Sequence, residues 1–159
     1  MQRSVSHATF VIERAYTAAP AKVFAAFATA EVKSQWFGNA EELARTGQRS
    51  NFQSDFRVGG KESISATFHN SGVTHSYDAT YWDIVENERI VIGYQMHLDA
   101  RRISVSVGAT EIKPDGAGSK LIYTEQGAFL DGYDDAGSRE RGTQGLFDQL
   151  ERHLARGGE

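Results

Sequence analysis

The feature that most constrains the fold of this 159-residue chain is an amphipathic stretch at residues 138–155. Its apolar residues recur at helical spacing, namely Leu146, Phe147, Leu150 and Leu154. Followed toward the N-terminus, the same stripe runs into Thr143, Gly142 and Arg139, where a closely packed helix would carry large apolar side chains. The pattern predicts a long C-terminal helix whose second half fills a core and whose first half leaves space beside it.

From residue 51 onward the apolar period changes from helical to alternating, which is typical of strands. We predict strands at residues 9–17, 52–58, 61–69, 75–85, 89–97, 101–112 and 120–127, and short helices at residues 21–28 and 31–36. A parity change at Trp82 indicates a β-bulge in the fourth of these strands. Residues 39–50 show no sustained pattern, and we interpret them as a mobile loop.

An antiparallel sheet with one polar face needs a single apolar cover, and only the final helix is long enough to provide it. A strongly twisted sheet that curls round one helix leaves a space between them unless large side chains fill it. Because the chain has no repeat, linker or low-complexity segment, we expect one domain over residues 1–159. The predicted fold class is α+β: a curved antiparallel sheet of six to seven strands around a long C-terminal helix, with two short helices after the first strand.

The composition excludes several classes of protein. A net charge of -4 argues against a nucleic-acid-binding surface, which needs clustered basic residues. No apolar run approaches the roughly 20 residues of a membrane span, and the N-terminal residues MQRSVSHATF lack the apolar core of a secretory signal. The absence of cysteine excludes disulfides, thiolate nucleophiles and cysteine-based metal sites. We therefore expect a cytoplasmic protein.

The order of elements resembles the helix-grip fold of the START/birch-pollen-allergen (SRPBCC) superfamily. Short strings along the chain are similar to one branch of it, the family named after an activator of heat-shock protein 90 ATPase: APAKVF at 19–24, WF at 36–37, FRVGGK at 56–61, ERIV at 88–91 and TEQG at 124–127. The resemblance covers essentially the whole chain and implies the helix-grip fold. It implies no single activity, because the superfamily includes lipid carriers, hormone receptors, aromatases and cyclases.

Glu125 is the most informative single residue in the sequence. It shares strand parity with Leu121 and Tyr123, so the pleat places its carboxylate on the core side of the sheet. A buried carboxylate needs a cation, a proton or a polar contact. Two interpretations stay open: a structural ion pair with Arg139 or Arg14, or a polar anchor on a cavity wall that could act as a general acid or base.

Further strand residues are candidates for the wall of a ligand pocket. Tyr94, Met96 and Tyr123 lie on inward faces of neighbouring or nearby strands. They are either core residues or an apolar lining whose hydroxyl groups orient a ligand. Val105 is a further candidate. Ile103, Val105 and Val107 alternate with small residues, and we predict that these three apolar side chains face inward.

Trp36 and Phe37 form an aromatic pair after the second short helix. They are either a hydrophobic plug under the short helices or a lid over the cavity. The candidate ligand-binding residues are Trp36, Tyr94, Met96, Val105, Tyr123, Glu125, Arg139 and Thr143, with Glu125 the candidate for any catalysis.

The sequence gives no sign of a metal or cofactor site. The histidines have no ligand spacing, since His69 and His75 flank one hairpin and the others lie near the termini or on an outward strand position. Asp131, Asp134 and Asp135 miss the calcium-loop pattern and are more simply explained as caps of the final helix. No glycine-rich loop leads into a helix, and no serine has an evident histidine partner. We predict no metal and no cofactor.

The residues and the resemblance together favour a small cytoplasmic protein that binds an apolar or aromatic small molecule in an internal pocket. A second interpretation is an enzyme of the cyclase, aromatase or hydrolase kind, in which Glu125 and a pocket tyrosine transfer protons. A third is a protein-interaction or stress-regulatory module that uses the sheet or the loop. A ligand-sized cavity with inward polar groups would favour the first two, and a filled interior with an exposed apolar patch the third. The oligomeric state stays open, a homodimer included.

Overall fold

The structure, a computed structural model, describes residues 2–38, 51–68 and 71–156. The elements within these ranges are β1 (Val5–Tyr16), α1 (Pro20–Ala28), α2 (Ala30–Lys33), β2 (Gln53–Ser54), β3 (Lys61–Thr67), β4 (Thr74–Val85), β5 (Arg89–Leu98), β6 (Arg101–Asp115), β7 (Gly118–Leu130) and α3 (Ala136–Ala155). This order confirms the predicted α+β class, with a curved antiparallel sheet, two short helices after the first strand and a long C-terminal helix.

The strands form one antiparallel sheet in the order β1-β7-β6-β5-β4-β3-β2. Strands β2 to β7 follow one another across the sheet because short connections join them. Gly116 lies in the β6–β7 turn at φ 59°, a left-handed conformation that suits glycine because it has no Cβ. The first strand pairs with the last along its whole length, from Val5 opposite Leu130 to Tyr16 opposite Ser119.

Helix α1 and Trp36, which follows α2, pack into the main apolar core. Pro20 occupies the start of α1, where its fixed φ suits a helix and its missing N–H leaves no bond unmade. Val23 and Phe27 are buried from this helix. Trp36 follows α2, and its indole nitrogen donates a 2.9 Å hydrogen bond to the Ala26 carbonyl. Trp36 therefore holds the two helices together as a buried plug.

Helix α3 places its second half in the same core. It begins two residues earlier than predicted, and its N-cap is Asp135, whose carboxylate accepts a 2.8 Å hydrogen bond from a backbone N–H of the first turn. Phe147 and Leu150 are buried, as the helical spacing predicts. Arg14 of β1 donates a 2.6 Å hydrogen bond to the Gln144 side chain, which ties the helix to the edge of the sheet.

Strand β4 contains the β-bulge that the sequence predicts. Its register with β5 shifts between Tyr81 and Asp83, so Trp82 is the extra residue. Tyr81 is fully buried, whereas the Trp82 side chain is largely exposed. The parity change in the sequence therefore reports a real change in which side chains face the helix.

Strand β6 contains a second bulge, which the alternation of its residues does not predict and which overturns the predicted orientation of Val105. The register with β5 passes from Arg102 to Ser104 and leaves Ile103 as the extra residue. Ile103 and Ser104 are consequently both buried, and the alternation beyond them is inverted. Val105 and Val107, predicted to face inward, are 48% and 47% exposed.

The first hairpin is also shorter than the predicted strand over residues 52–58. Only Gln53–Ser54 pair with β3. The chain then turns, with a 2.8 Å hydrogen bond from the Gly60 N–H to the Arg57 carbonyl. A Cβ on Gly60 would clash with the Asp55 carbonyl oxygen, so the turn brings two backbone segments too close for any side chain.

Some predictions fall outside the described ranges, namely the loop at residues 39–50 and the position of His69. The single domain over residues 1–159 stays a prediction. Within the described ranges, no helix is long and apolar enough to cross a membrane.

Candidate functional site

A cavity of about 630 Å³ lies between α3, beyond its first turn, and the inward face of the sheet. This volume falls in the range of pockets that enclose small organic molecules. Most of its wall is apolar, with side chains contributed by α3, by β3 and β5 and by the segment after α2: Phe37, Ile64, Ile92, Met96, Leu146 and Phe147. The cavity is therefore an apolar space bounded by the elements that the sequence predicts to enclose one.

Small residues of α3 leave this space unfilled. Gly142, Thr143 and Gly145 line the cavity. Apart from its chain neighbours and the nearby backbone of the helix, a Cβ added to Gly142 or Gly145 would meet no atom of the described residues within 4 Å. Phe147 and Leu150, further along the helix, lie in the apolar core. The first half of α3 thus borders the cavity, and the second half packs into the apolar core.

The first of two clusters of polar side chains beside the cavity is centred on Glu125, which is 1% exposed. Its carboxylate accepts hydrogen bonds from the hydroxyl of Tyr94, at 2.8 and 2.9 Å to its two oxygens, and from that of Tyr123, at 2.7 Å. Arg139 Nη1 lies 3.5 Å from the carboxylate and donates a 3.0 Å hydrogen bond to the Tyr94 hydroxyl. These four residues form the Glu125 cluster.

Two further oxygens complete the surroundings of Arg139. Its Nη2 donates to Ser104 Oγ at 2.8 Å and to Asp134 Oδ2 at 3.0 Å. The guanidinium also lies 5.6 and 5.3 Å from the ring centroids of Tyr94 and Phe129. The first turn of α3 is thereby fixed to β5, β6 and β7 by one charged side chain.

A second buried carboxylate, which is not among the predicted site residues, has similar surroundings. Glu62 of β3 is 1% exposed, and each of its oxygens lies 2.9 Å from Lys33 Nζ. The hydroxyls of Tyr77 and Tyr81 donate to it, the former at 2.8 Å. Ser54 Oγ donates at 3.0 Å. These five residues form the Glu62 cluster.

The parity argument that located Glu125 also applies to Glu62. Glu62 shares strand parity with Ile64 and Ala66, which alternate with polar residues along the predicted strand at residues 61–69. Lys33 has no such signal, because α2 is only four residues long and too short to show an apolar period. Its pairing with Glu62 therefore emerges only from the structure.

The two clusters adjoin along the cavity wall. The ring centroids of Tyr77 and Tyr94, one from each cluster, are 5.1 Å apart. The four cluster tyrosines, Lys33 and Arg139 all line the cavity, whereas neither glutamate is part of its lining. A molecule in the cavity would consequently meet tyrosine side chains, two cations and Asp134, whereas the two glutamates lie behind this lining.

Burial and nearby carboxylates keep the cluster tyrosines protonated. Burial first, and the adjacent glutamate second, raise the pKa of each of them well above the ordinary range: Tyr77, Tyr81, Tyr94 and Tyr123. Burial alone would raise the pKa of Glu62, but Lys33 and the hydroxyl donors outweigh it and lower that pKa. The tyrosine hydroxyls therefore stay protonated and donate hydrogen bonds to the two carboxylates.

The structure brings most of the predicted site residues to one place. Those that line the cavity are Trp36, Tyr94, Met96, Tyr123, Arg139 and Thr143. Glu125 pairs with Arg139; the alternative partner, Arg14, instead binds Gln144 and Asp148. Val105 does not line this cavity, because the bulge in β6 turns it to the other face of the sheet. That these residues bind a ligand stays a prediction.

The acidic residues before α3 have structural partners. Asp135 caps the helix, and Asp134 pairs with Arg139. Asp131 accepts hydrogen bonds from the Arg3 side chain and the Ser4 N–H. Across the part of the chain that the structure describes, no three carboxylate or histidine side chains are grouped closely enough to hold a metal ion.

The fold and the cavity beneath its long helix define this molecule as a helix-grip protein of the SRPBCC superfamily. The family model described as "Activator of Hsp90 ATPase homolog 1-like protein" matches residues 17–155. The chain belongs to that family.

Solved structures of bacterial proteins share the fold. A protein from Rhizobium leguminosarum is 42% identical over 98% of this chain and 99% of that one, with a TM-score of 0.88. Mll3558 from Rhizobium loti is 40% identical over 94% and 98% of the two chains, with a TM-score of 0.84. CV1439 from Chromobacterium violaceum, at 23% identity over 91% and 94% and a TM-score of 0.72, shows the fold alone. No curated protein matches the chain.

Proposed function

We propose that this chain binds an apolar or aromatic small molecule in the cavity beneath α3. The observation that carries the proposal is a space of about 630 Å³ with a mostly apolar wall, which the small residues of α3 leave unfilled. A filled interior would be more stable, because each glycine in a helix costs roughly 1 kcal/mol relative to alanine and empty space forfeits packing contacts. Membership of the family is consistent with a small ligand-binding protein.

The polar groups on the wall support an oriented ligand. Small-molecule pockets combine an apolar lining with a few positioned polar atoms. Here Tyr77 and Tyr123 line the cavity, and hydrogen bonds to Glu62 and Glu125 hold their hydroxyl groups in place. Ordered polar atoms of this kind would select one orientation of a bound molecule.

The same geometry favours binding over acid–base catalysis. A general base must lie within hydrogen-bonding reach of the proton that it removes. Glu125, the candidate acid or base, lies behind Tyr94 and Tyr123 and does not line the cavity. The raised pKa of both tyrosines, caused first by burial, keeps their own protons in place.

Titration with N-phenylnaphthylamine, a neutral fluorophore whose emission rises in apolar surroundings, tests the proposal. We expect saturable binding to the wild-type protein. Gly145→Leu should bind the probe roughly tenfold more weakly, because its side chain takes cavity volume that the probe needs. Glu151→Leu, on the exposed side of the same helix, is the matched control and should bind as the wild type does.

Two outcomes would contradict the proposal: no saturable binding to the wild-type protein, or equal binding to the wild type and to Gly145→Leu. Native mass spectrometry of the protein as purified adds an independent readout. A retained small molecule, lost from Gly145→Leu and kept in Glu151→Leu, would identify the natural ligand by its mass.

A further inference from the structure

The lysine and the arginine on the cavity wall already have protein partners. The terminal amino groups of Arg139 meet oxygens of four residues: Tyr94, Ser104, Glu125 and Asp134. Lys33 Nζ donates to both oxygens of Glu62 and lies 4.5 Å from the ring centroid of Phe37. An incoming anion would have to displace one of these contacts to pair with either cation.

Carboxylates outnumber these two cations. Three of them lie within pairing distance: Glu62, Glu125 and Asp134. Three negative groups against two positive ones leave a local excess of one negative charge. Charges interact more strongly in a buried site than in water, so this excess repels an additional anion and attracts a cation. His75 also lines the cavity, and measurements at pH 8, where an ordinary histidine is uncharged, keep its charge out of the comparison.

Tyr77 and Tyr123 line the cavity, and a tyrosine hydroxyl oxygen can accept hydrogen bonds as well as donate one. Tyr77 donates its hydroxyl proton to Glu62, and Tyr123 donates its own to Glu125. Each phenolic oxygen keeps its lone pairs, which can accept a hydrogen bond from a ligand N–H or O–H. A carboxylate ligand has no proton to offer, so its oxygens would face other oxygens.

On the basis of the proposed function, we infer that the cavity accepts neutral or cationic apolar molecules that carry an N–H or O–H donor, and that it rejects carboxylates. Three observations support this selection. Lys33 and Arg139 already pair with protein groups, carboxylates outnumber these two cations, and the tyrosine oxygens can accept hydrogen bonds. The donor of the ligand lies against the phenolic oxygens, and its apolar body lies among the aliphatic and aromatic side chains of the wall.

A series of naphthalene derivatives that differ only in the head group tests this selection. Each compound competes with N-phenylnaphthylamine at pH 8. We expect naphthylmethanol and naphthylmethylammonium to displace the probe, and naphthoate to bind at least tenfold more weakly than the alcohol. The methyl ether of naphthylmethanol, which has the same ring but no donor, should bind roughly fivefold more weakly than the alcohol.

Asp134→Asn tests the charge contribution directly. It removes one carboxylate from the wall while an amide oxygen can still accept from Arg139. The difference in affinity between the alcohol and naphthoate should shrink several-fold in this variant. Asp148→Asn is the matched control, since Asp148 pairs with Arg14 and does not line the cavity. It should keep the wild-type difference.

The outcomes separate this inference from the proposed function. If naphthoate binds the wild type within twofold of the alcohol, or the ether binds as well as the alcohol, the selection is wrong while the binding cavity stands. The same holds if the fluorophore binds and none of the series displaces it. If the fluorophore itself fails to bind, the proposed function is wrong, and the selection falls with it.

Discussion

Replacing Gly142 by alanine should stabilise the protein. Gly142 lies inside α3, more than one turn from either end, and its φ is not in the left-handed region that favours glycine. Apart from its chain neighbours and the nearby backbone of the helix, a Cβ there would meet no atom of the described residues within 4 Å, so no clash with another part of the protein opposes the change. Alanine is favoured over glycine in a helix interior by about 0.5–1 kcal/mol.

The size of the effect is measurable. A gain of about 1 kcal/mol raises Tm by roughly 2–4 °C for a chain of this length. Thr143→Leu enlarges the same face of the helix. It loses the 2.9 Å hydrogen bond from Thr143 Oγ1 to the Arg139 carbonyl, a loss of about 1 kcal/mol. Because leucine also improves helix propensity and fills empty volume, stability should hold, while affinity for N-phenylnaphthylamine falls.

Gly127→Ala provides the matched control. Its Cβ would lie 3.0 Å from both the Phe129 ring and Ser106 Oγ, so overpacking should destabilise the protein by about 1–3 kcal/mol. Thermal melts and urea unfolding of the variants give the comparison. If Gly142→Ala is destabilised as Gly127→Ala is, the space beside the first half of α3 does not exist and the cavity account is refuted.

Three further predictions concern buried polar groups. Lys33→Met should cost about 3–5 kcal/mol in urea unfolding, because it leaves Glu62 buried without its cation. The double variant Lys33→Met/Glu62→Leu should recover part of this loss, and no recovery would contradict the buried pair. Glu125→Gln should lower the free energy of unfolding by about 3 kcal/mol, because the amide can accept fewer hydrogen bonds from the donors around it. An unchanged urea midpoint would contradict this prediction. Burial first, and Arg156 second, lower the pKa of His153. Stability should therefore fall as the pH drops below about 6.5, where the unfolded chain binds a proton that the folded chain does not. His153→Leu should flatten this slope, and an unchanged slope would contradict its assignment to His153.

The architecture could be predicted because its elements carry local signals. The stripe of Leu146, Phe147 and Leu150 predicts α3 by helical spacing, and Pro20 marks the start of α1. The bulge at Trp82 shows as a break in alternation between residues that are large enough to reveal it. Each of these signals depends only on neighbours along the chain.

The orientation of Val105 could not be predicted in the same way. The bulge at Ile103 turns Val105 and Val107 outward and places Ser104 and Ser106 on the inward face. Either set of residues fits the alternation of a strand. The inward row carries Ser104, whose hydroxyl accepts a hydrogen bond from Arg139 of the distant helix. The choice between the two rows therefore depends on a tertiary contact, which alternation alone does not encode.

The candidate site could be predicted only in part, because some of its features carry local signals and others depend on tertiary packing. Strand parity predicts that the side chain of Glu125 faces inward, and Glu62 carries the same signal. Its pairing with Lys33, 29 residues away on a helix of four residues, depends on how α2 packs against the sheet. The cavity volume depends on the distance between α3 and the sheet, which periodicity does not specify.

The most direct test of ligand binding in this cavity is the position of a bound probe. Intermolecular nuclear Overhauser effects from N-phenylnaphthylamine should reach the methyl groups of Ile92 and Met96, which line the cavity. Val105 and Val107, exposed away from it, should show none. Contacts to these two valines without contacts to Ile92 and Met96 would place the probe outside the cavity and contradict the proposed function.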